Sequence, residues 1–255
     1  MPIFRTGDQL HYFAHVPKCA GTAVEAYLAA RFGSLAFLNP DFMAVAEADR
    51  WSKSTPQHMP AAEFLRLIPR GWITSSFAVV RHPLTRLISA YRYHVLVAGR
   101  DPAVWSVDDW FADWLAHHRS DPFRYDGHLR LQCDLVPDDA TVFPLEQGLD
   151  GIVAHLDRLS GKRSGPRDLA VMNEGRYDTI RFDGADVPQP ETLAAVADFY
   201  ADDFTRFGYD PDGMARPDAP RAPVISLARH ELRRPRTAGR AILNWLVPPP
   251  PGDGP

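Results

Sequence analysis

A lysine, a glycine and a hydroxyl fall within five residues in His15-Val16-Pro17-Lys18-Cys19-Ala20-Gly21-Thr22, where a strand-like run gives way to a helical one. A strand that turns sharply into a helix leaves backbone N–H groups unpaired at the helix start, and those groups favour an anion. Gly21 lets the backbone approach that anion, Thr22 adds a hydroxyl and Lys18 supplies a full charge. Lysine is otherwise scarce, with only Lys53 and Lys162 elsewhere in the chain, so one inside this stretch stands out. The obvious rival is the triphosphate loop GxxxxGK[ST], and it fails on order. Lys18 precedes the glycine, and no glycine lies between Gly7 and Gly21. An incidental strand-to-helix turn would read the same way.

The second stretch is Arg81-His82-Pro83-Leu84-Thr85-Arg86-Leu87-Ile88-Ser89-Ala90-Tyr91. Arg81 ends an apolar run, where a buried arginine is costly without an anion to pair with. Its planar fork matches phosphate oxygens bidentately. Arg86 and Ser89 lie three apart and share a helix face, which suits a second phosphate site. The alternative is a surface arginine helix with Ser89 facing solvent. Two anion sites at two strand ends fit a nucleotide phosphorylated at both ends of its ribose.

The elements that must hold these residues alternate. Leu10 to Val16 reads as a buried strand, and Thr22 to Phe32 as a helix stopped by Gly33. Residues 34–59 are unassigned, and Pro60 opens a short helix closed by Pro69 and Gly71. Trp72 to Val80 is a second strand, followed from Pro83 by a helix to about Val97. Ser106 and Asp109 form a capping pair for the helix at 110–118. A strand at Ala140 to Phe143, a helix at Leu149 to Leu159 and one long helix from Glu191 to Phe207 complete the series. Strand–helix alternation predicts an α/β fold: a three-layer α/β/α arrangement on a mainly parallel sheet, with ligands at the carboxyl ends of the strands. Residues 1–213 read as the domain, and 214–255, rich in Pro and Arg, as a tail.

Bulk properties exclude several classes. A net charge of -4 argues against a general nucleic-acid binder. Cys19 and Cys133 have neither disulfide-framework nor zinc-ligand spacing, so no metal is expected. No basic-then-apolar leader and no apolar run of membrane length occurs, so a cytoplasmic protein without an integral membrane segment is expected.

His15-x-Pro-Lys-x-Ala-Gly-Thr followed by Val-Arg-x-Pro-x-x-Arg-x-x-Ser-x-Tyr resembles the sulfotransferase family that includes carbohydrate 2-O-type enzymes and many bacterial relatives. Looser matches continue through His128, Gln132, Glu146, Asn173 and Asp203 to Tyr209. The resemblance implies a P-loop-like fold and 3′-phosphoadenosine 5′-phosphosulfate as donor. It implies a hydroxyl on a carbohydrate-like acceptor and, from the relatives, a bacterial source. Lys18, Cys19, Ala20, Gly21 and Thr22, with Pro17 ahead of them, would hold the 5′-phosphosulfate; Arg81 and Ser89 would hold the 3′-phosphate. Lys18 would also stabilise the leaving oxygen, without a metal.

Two positions depart from the family pattern. Cys19 stands where a hydroxyl residue is usual, and His82 where Asp or Asn is usual. A cysteine beside Lys18 at a helix start could have a lowered pKa, or could simply be packed. The acceptor must lose a proton, and the family position of a histidine between the two stretches falls on His58. His15 and His128 are the other candidates, and Glu63 either orients His58 or is solvated. Trp51, Trp105 and Tyr125 could stack on sugars, whereas Trp110 and Trp114 look like core. Arg119, Arg124 and Arg130 could meet an anionic acceptor. Competing readings are a magnesium-dependent nucleotide kinase and a non-catalytic binder of the 3′-phosphorylated nucleotide.

Overall fold

The computed structural model describes residues 2–169 and 180–213. The chain opens with a hairpin that sequence patterning did not predict, β1 (Ile3–Thr6) against β2 (Gln9–Ala14). Gly7, at φ 58°, takes the left-handed conformation that so tight a turn requires. Strand β3 (Ile73–Val80) and strand β4 (Thr141–Pro144) then add in parallel, giving the order β1-β2-β3-β4. The sheet is therefore mainly parallel, as expected, with one antiparallel edge strand. Strand β2 ends at Ala14, paired to Ala78, two residues earlier than the apolar run suggested.

Helices α1 (Gly21–Phe32) and α2 (Ala61–Leu67) lie between β2 and β3, α3 (Pro83–Ala98), α4 (Val107–His117) and the single turn α5 (Gln132–Leu135) lie between β3 and β4, and α6 (Asp150–Ser160) follows β4. Helix α4 begins at the expected signal. The Ser106 hydroxyl accepts from Asp109 N–H while the Asp109 carboxylate accepts from Ser106 N–H. The region 34–59 contains short 3₁₀ turns, the last of them at Pro56–His58.

The long C-terminal helix is broken. α7 (Pro190–Phe199) and α8 (Ala201–Phe207) meet at Tyr200, whose ψ of 21° departs from helical values. The break serves two buried demands. Tyr200 Oη donates to Leu129 C=O at 2.8 Å, and Asp203 turns inward to accept from Gln132 and Cys133 N–H, each at 2.9 Å. Periodicity alone cannot register such a break, because both halves keep the same apolar face.

Two apolar clusters result. One packs the sheet against α1 and α6 through Phe13, Val24, Leu28, Phe77, Ile152 and Leu156. The other joins α3, α4, α7 and α8 through Tyr91, Trp110, Trp114, Val196 and Tyr200. Trp110 and Trp114 are core residues, and each buried aliphatic side chain contributes about 1.5–3 kcal/mol. Among the described residues no helix is long and apolar enough to cross a membrane. The tail at 214–255 and Asn173 lie outside the described residues.

Candidate functional site

Strands β2 and β3 are parallel neighbours, so their carboxyl ends release His15–Ala20 and Arg81–His82 side by side. Arg81 Nη1 donates to Lys18 C=O at 3.3 Å, tying the two motifs together. The lysine loop is strained: Lys18 and Ala20 sit at φ 67° and 60°, on either side of Cys19. Left-handed backbone at a non-glycine residue costs roughly 1–3 kcal/mol and persists where surrounding structure enforces it. Left-handed residues separated by one are a backbone pattern found in anion nests, and within this loop the Cys19 N–H donates to Val16 C=O at 3.3 Å. Ala20 C=O accepts from Ala23 and Val24 N–H, which starts α1 and leaves the earlier N–H groups outside the helical ladder. Pro17 is buried beneath the loop, and Thr22 is half-buried in the first helical turn.

His15 explains Gly21. A Cβ there would overlap the His15 imidazole, so the ring occupies the space a side chain would need. The ring is held by His15 Nδ1 to Glu25 Oε1 at 2.5 Å. Burial holds His15 below its ordinary pKa against the opposing pull of Glu25. Burial pushes Glu25 the other way, yet His15 outweighs it and keeps the carboxyl low. His15 thus supports the loop, as its strand position suggested.

Cys19 is fully buried, with its Sγ 3.6 Å from both Pro17 C=O and Gln132 Oε1. Burial pushes its thiol up to about 12, so of the two readings of Cys19 the packed one holds. The charges of Arg86 and Arg81 pull the other way but are weaker than desolvation.

Arg81 is half-buried, and its Nε donates to Thr85 Oγ1 at 3.1 Å. Ser89 lies one turn beyond Thr85 on α3 and is half-buried. Arg86 belongs elsewhere. It is 1% exposed, donates to His128 C=O at 2.9 Å and Arg130 C=O at 2.6 Å, and lies 4.0 Å from Asp203. A guanidinium so occupied holds the fold rather than a phosphate, which corrects the pairing of Arg86 with Ser89. Gln132, fully buried, completes the strand end. Its amide donates to Arg81 C=O at 2.8 Å and accepts from Arg81 N–H at 3.0 Å.

His58 reaches this edge from the 3₁₀ turn. Its Nδ1 lies 2.8 Å from Thr55 Oγ1 and 3.0 Å from Asp126 Oδ2, and Thr55 Oγ1 donates to the same carboxylate oxygen at 2.8 Å. Burial works to raise the Asp126 pKa, but the His58 charge and the hydrogen bonds from His58 and Thr55 hold it below the usual range. The His58 ring contacts those of His15 and His128, with centroids 4.9 and 5.1 Å away. His128 Nδ1 lies 3.0 Å from His94 Nε2. Burial, reinforced by neighbouring positive charge, drives His94 down to about 3 and His128 well below its usual value. Lys18 Nζ sits 4.1 Å above the Tyr93 ring, whose centroid is 5.2 Å from that of His128. Lys18, Arg81 and His58 therefore converge on one edge of the sheet.

Glu63 is exposed and pairs with Arg66, so the solvated reading holds and Asp126 takes the orienting position instead. Asp126 was missed because it lies 68 positions from His58 and no local pattern marks it. Its left-handed φ of 55° is the backbone signature that the sequence does not display. Arg124 is bound by Asp113, Arg130 donates to Pro122 C=O, and Arg119 is exposed. Tyr125 Oη donates to Asp113, Trp105 is half-buried, and Trp51 is 66% exposed.

Comparison with curated proteins and with solved structures returned no match. A model of the sulfotransferase family matches residues 2–132, just over half the chain, and spans both strand-end motifs and the His58 turn. With sulfuryl transfer as that family's general chemistry, this chain belongs to the sulfotransferase family.

Proposed function

We propose that the protein transfers a sulfuryl group from 3′-phosphoadenosine 5′-phosphosulfate to a hydroxyl of a carbohydrate-like acceptor, with no metal taking part. The observation that carries this reading is the convergence of the strained Lys18 loop, Arg81 and the Asp126-bound His58 at adjoining strand ends. The fold is read as P-loop-like, with residues 1–213 as the catalytic domain and 214–255 as a tail.

The loop N–H groups, Lys18 and Thr22 receive the 5′-phosphosulfate, while Arg81 and Ser89 receive the 3′-phosphate. Nδ1 of His58 is engaged by Thr55 and Asp126, so Nε2 meets the acceptor hydroxyl. The acceptor oxygen attacks sulfur, the sulfur–oxygen bond to the 5′-phosphate breaks, and the hydroxyl proton passes to Nε2. Negative charge gathers on the departing phosphate oxygen, and the Lys18 ammonium neutralises it. Asp126, kept ionised, stabilises the imidazolium that forms. Adenosine 3′,5′-bisphosphate leaves, and the proton returns to solvent.

Thermal melting with adenosine 3′,5′-bisphosphate, adenosine 5′-monophosphate and magnesium adenosine triphosphate tests the donor. A ligand at about 100 times its dissociation constant adds about 2.7 kcal/mol, which raises the midpoint by roughly 5–10 °C. A shift confined to the bisphosphate is expected. A shift only with magnesium adenosine triphosphate overturns the reading in favour of a kinase. Lys18→Ala is expected to lower kcat about 10²–10³-fold. His58→Ala should lower it about 10²–10⁴-fold. Bisphosphate binding with no turnover toward any hydroxyl acceptor in the wild type would instead fit a non-catalytic binder.

A further inference from the structure

The histidines around Asp126 carry a proton arrangement with a second consequence. A neutral imidazole has one N–H. His94 Nε2 and His128 Nδ1 lie 3.0 Å apart, so one of the two rings donates to the other. When His128 Nδ1 is the donor to His94, His128 Nε2 carries the bare lone pair, 3.9 Å from a carboxylate oxygen, Asp126 Oδ2. The same oxygen lies 3.0 Å from His58 Nδ1. Two such atoms across that gap, beside a His58 nitrogen that can exchange its proton for a metal, leave room for a cation. Donor atoms of a tetrahedral zinc site stand about 3.3 Å apart, from bonds of about 2.0–2.1 Å. The separations to Asp126 bracket that value, and all three donors lie within 4.8 Å of one another.

We propose that His58, Asp126 and His128 form a three-ligand site for a divalent transition metal of the zinc(II) class, with a fourth position left open. The outer contacts of a metal site are already in place. His94 fixes the ring of His128 through Nδ1, and the Thr55 N–H donates to Asp126 Oδ1 at 2.8 Å, turning Oδ2 toward the two imidazoles. Among the described residues His15 falls outside the set whose donor atoms lie within 4.8 Å of one another. Two nitrogens and one carboxylate oxygen suit zinc, cobalt or nickel and are a poor match for magnesium.

Occupancy regulates the transfer proposed above, and this part rests on that reading. A metal on His58 Nδ1 displaces the proton held there to Nε2, with no net change in protons. The nitrogen facing the acceptor then carries a hydrogen and has no lone pair to receive another. Metal binding therefore inhibits, and chelation restores activity.

The full chain, stripped with a chelator, is titrated with cobalt(II) and followed by its visible absorption, which intensifies in four-coordinate geometry. One cobalt per chain is expected, displaced by zinc(II) and not by magnesium. The spectrum should disappear in Asp126→Asn, which is isosteric, and in His128→Gln, each shown folded by circular dichroism. His94→Gln should weaken binding about 10–100-fold through the lost outer contact. His117→Gln, in an exposed pair with Asp113, should leave binding unchanged. Cobalt binding that survives Asp126→Asn, or that is lost in His117→Gln, overturns the site. Transfer assayed in chelator alone tests the His58 base separately, so failure of the metal site and failure of the function are distinguishable.

Discussion

Lys18, His58 and Cys19 show how far a residue's chemistry depends on what surrounds it. Lys18 is held in a left-handed conformation with its ammonium over the Tyr93 face, so in the proposed function it is in place before the donor arrives. A flexible lysine would have to be ordered during binding, at a cost of about 1–2 kcal/mol in side-chain entropy. Cys19 occupies the loop beside it and takes no part in charge stabilisation, because its thiol is closed off from solvent. Burial raises that thiol to about 12, and burial chiefly raises Cys133 to about 12 as well. Neither thiol is a thiolate at neutral pH. Iodoacetamide is therefore expected to leave both cysteines of the folded protein unmodified and to alkylate both after unfolding, as read by intact-mass spectrometry. Rapid alkylation of Cys19 in the native state would show that the loop opens and that its burial does not describe the working protein.

At the scale of elements, the site depends on a chain of contacts running from the C-terminal helix to the first strand ends. Asp203 on α8 accepts from the first N–H groups of α5, and Gln132 at the start of α5 pairs with both backbone groups of Arg81. Arg81 then reaches the Lys18 carbonyl. Asp203 also lies beside the buried Arg86. Removing one partner of a buried ion pair leaves an uncompensated charge and costs about 3–5 kcal/mol. Asp203→Asn keeps the shape while removing the charge, so a loss of about 3 kcal/mol in urea denaturation is expected. A loss below about 1 kcal/mol would mean that the pair is solvated and that the two helices are coupled by packing alone.

For the molecule as a whole, buried histidines set the response to acid. Burial holds His11 and His155 below their usual value of 6.5, His155 with help from Arg158. His15, His94 and His128 shift in the same direction. Each binds fewer protons in the folded state than in the unfolded state once the pH falls below 6.5. Stability is thus complete above that pH and declines as acid drives protons onto the unfolded chain. Glu25 and Asp126, whose carboxyls are held low, add further loss of the same sign at lower pH. Urea midpoints at about pH 7.5 and about pH 5.5 should differ in that sense, and the difference should shrink in His11→Gln/His155→Gln. A midpoint that rises on acidification would contradict the buried, neutral state of these rings.

The linear sequence determined what depends on neighbours in the chain. Both strand-end motifs, the capping box at Ser106 and Asp109, and the apolar strands that make the sheet parallel were legible, because each is a pattern within a few residues. So was the placing of Trp110 and Trp114 in the core, from their helical spacing. Tertiary structure alone decided which polar groups meet. Arg86 and Ser89 share a helix face in the sequence, yet the Arg86 guanidinium is taken by carbonyls 42 and 44 positions away. Glu63 is the carboxylate nearest His58 along the chain, yet the one that holds the ring is Asp126, 68 positions on. The break at Tyr200 likewise answers to Leu129 and Gln132 rather than to its own helix. Local patterns report the free energy of hydrogen bonds and apolar faces along one segment. A buried polar group must find its partner wherever the fold brings one, and that distance is not written in spacing.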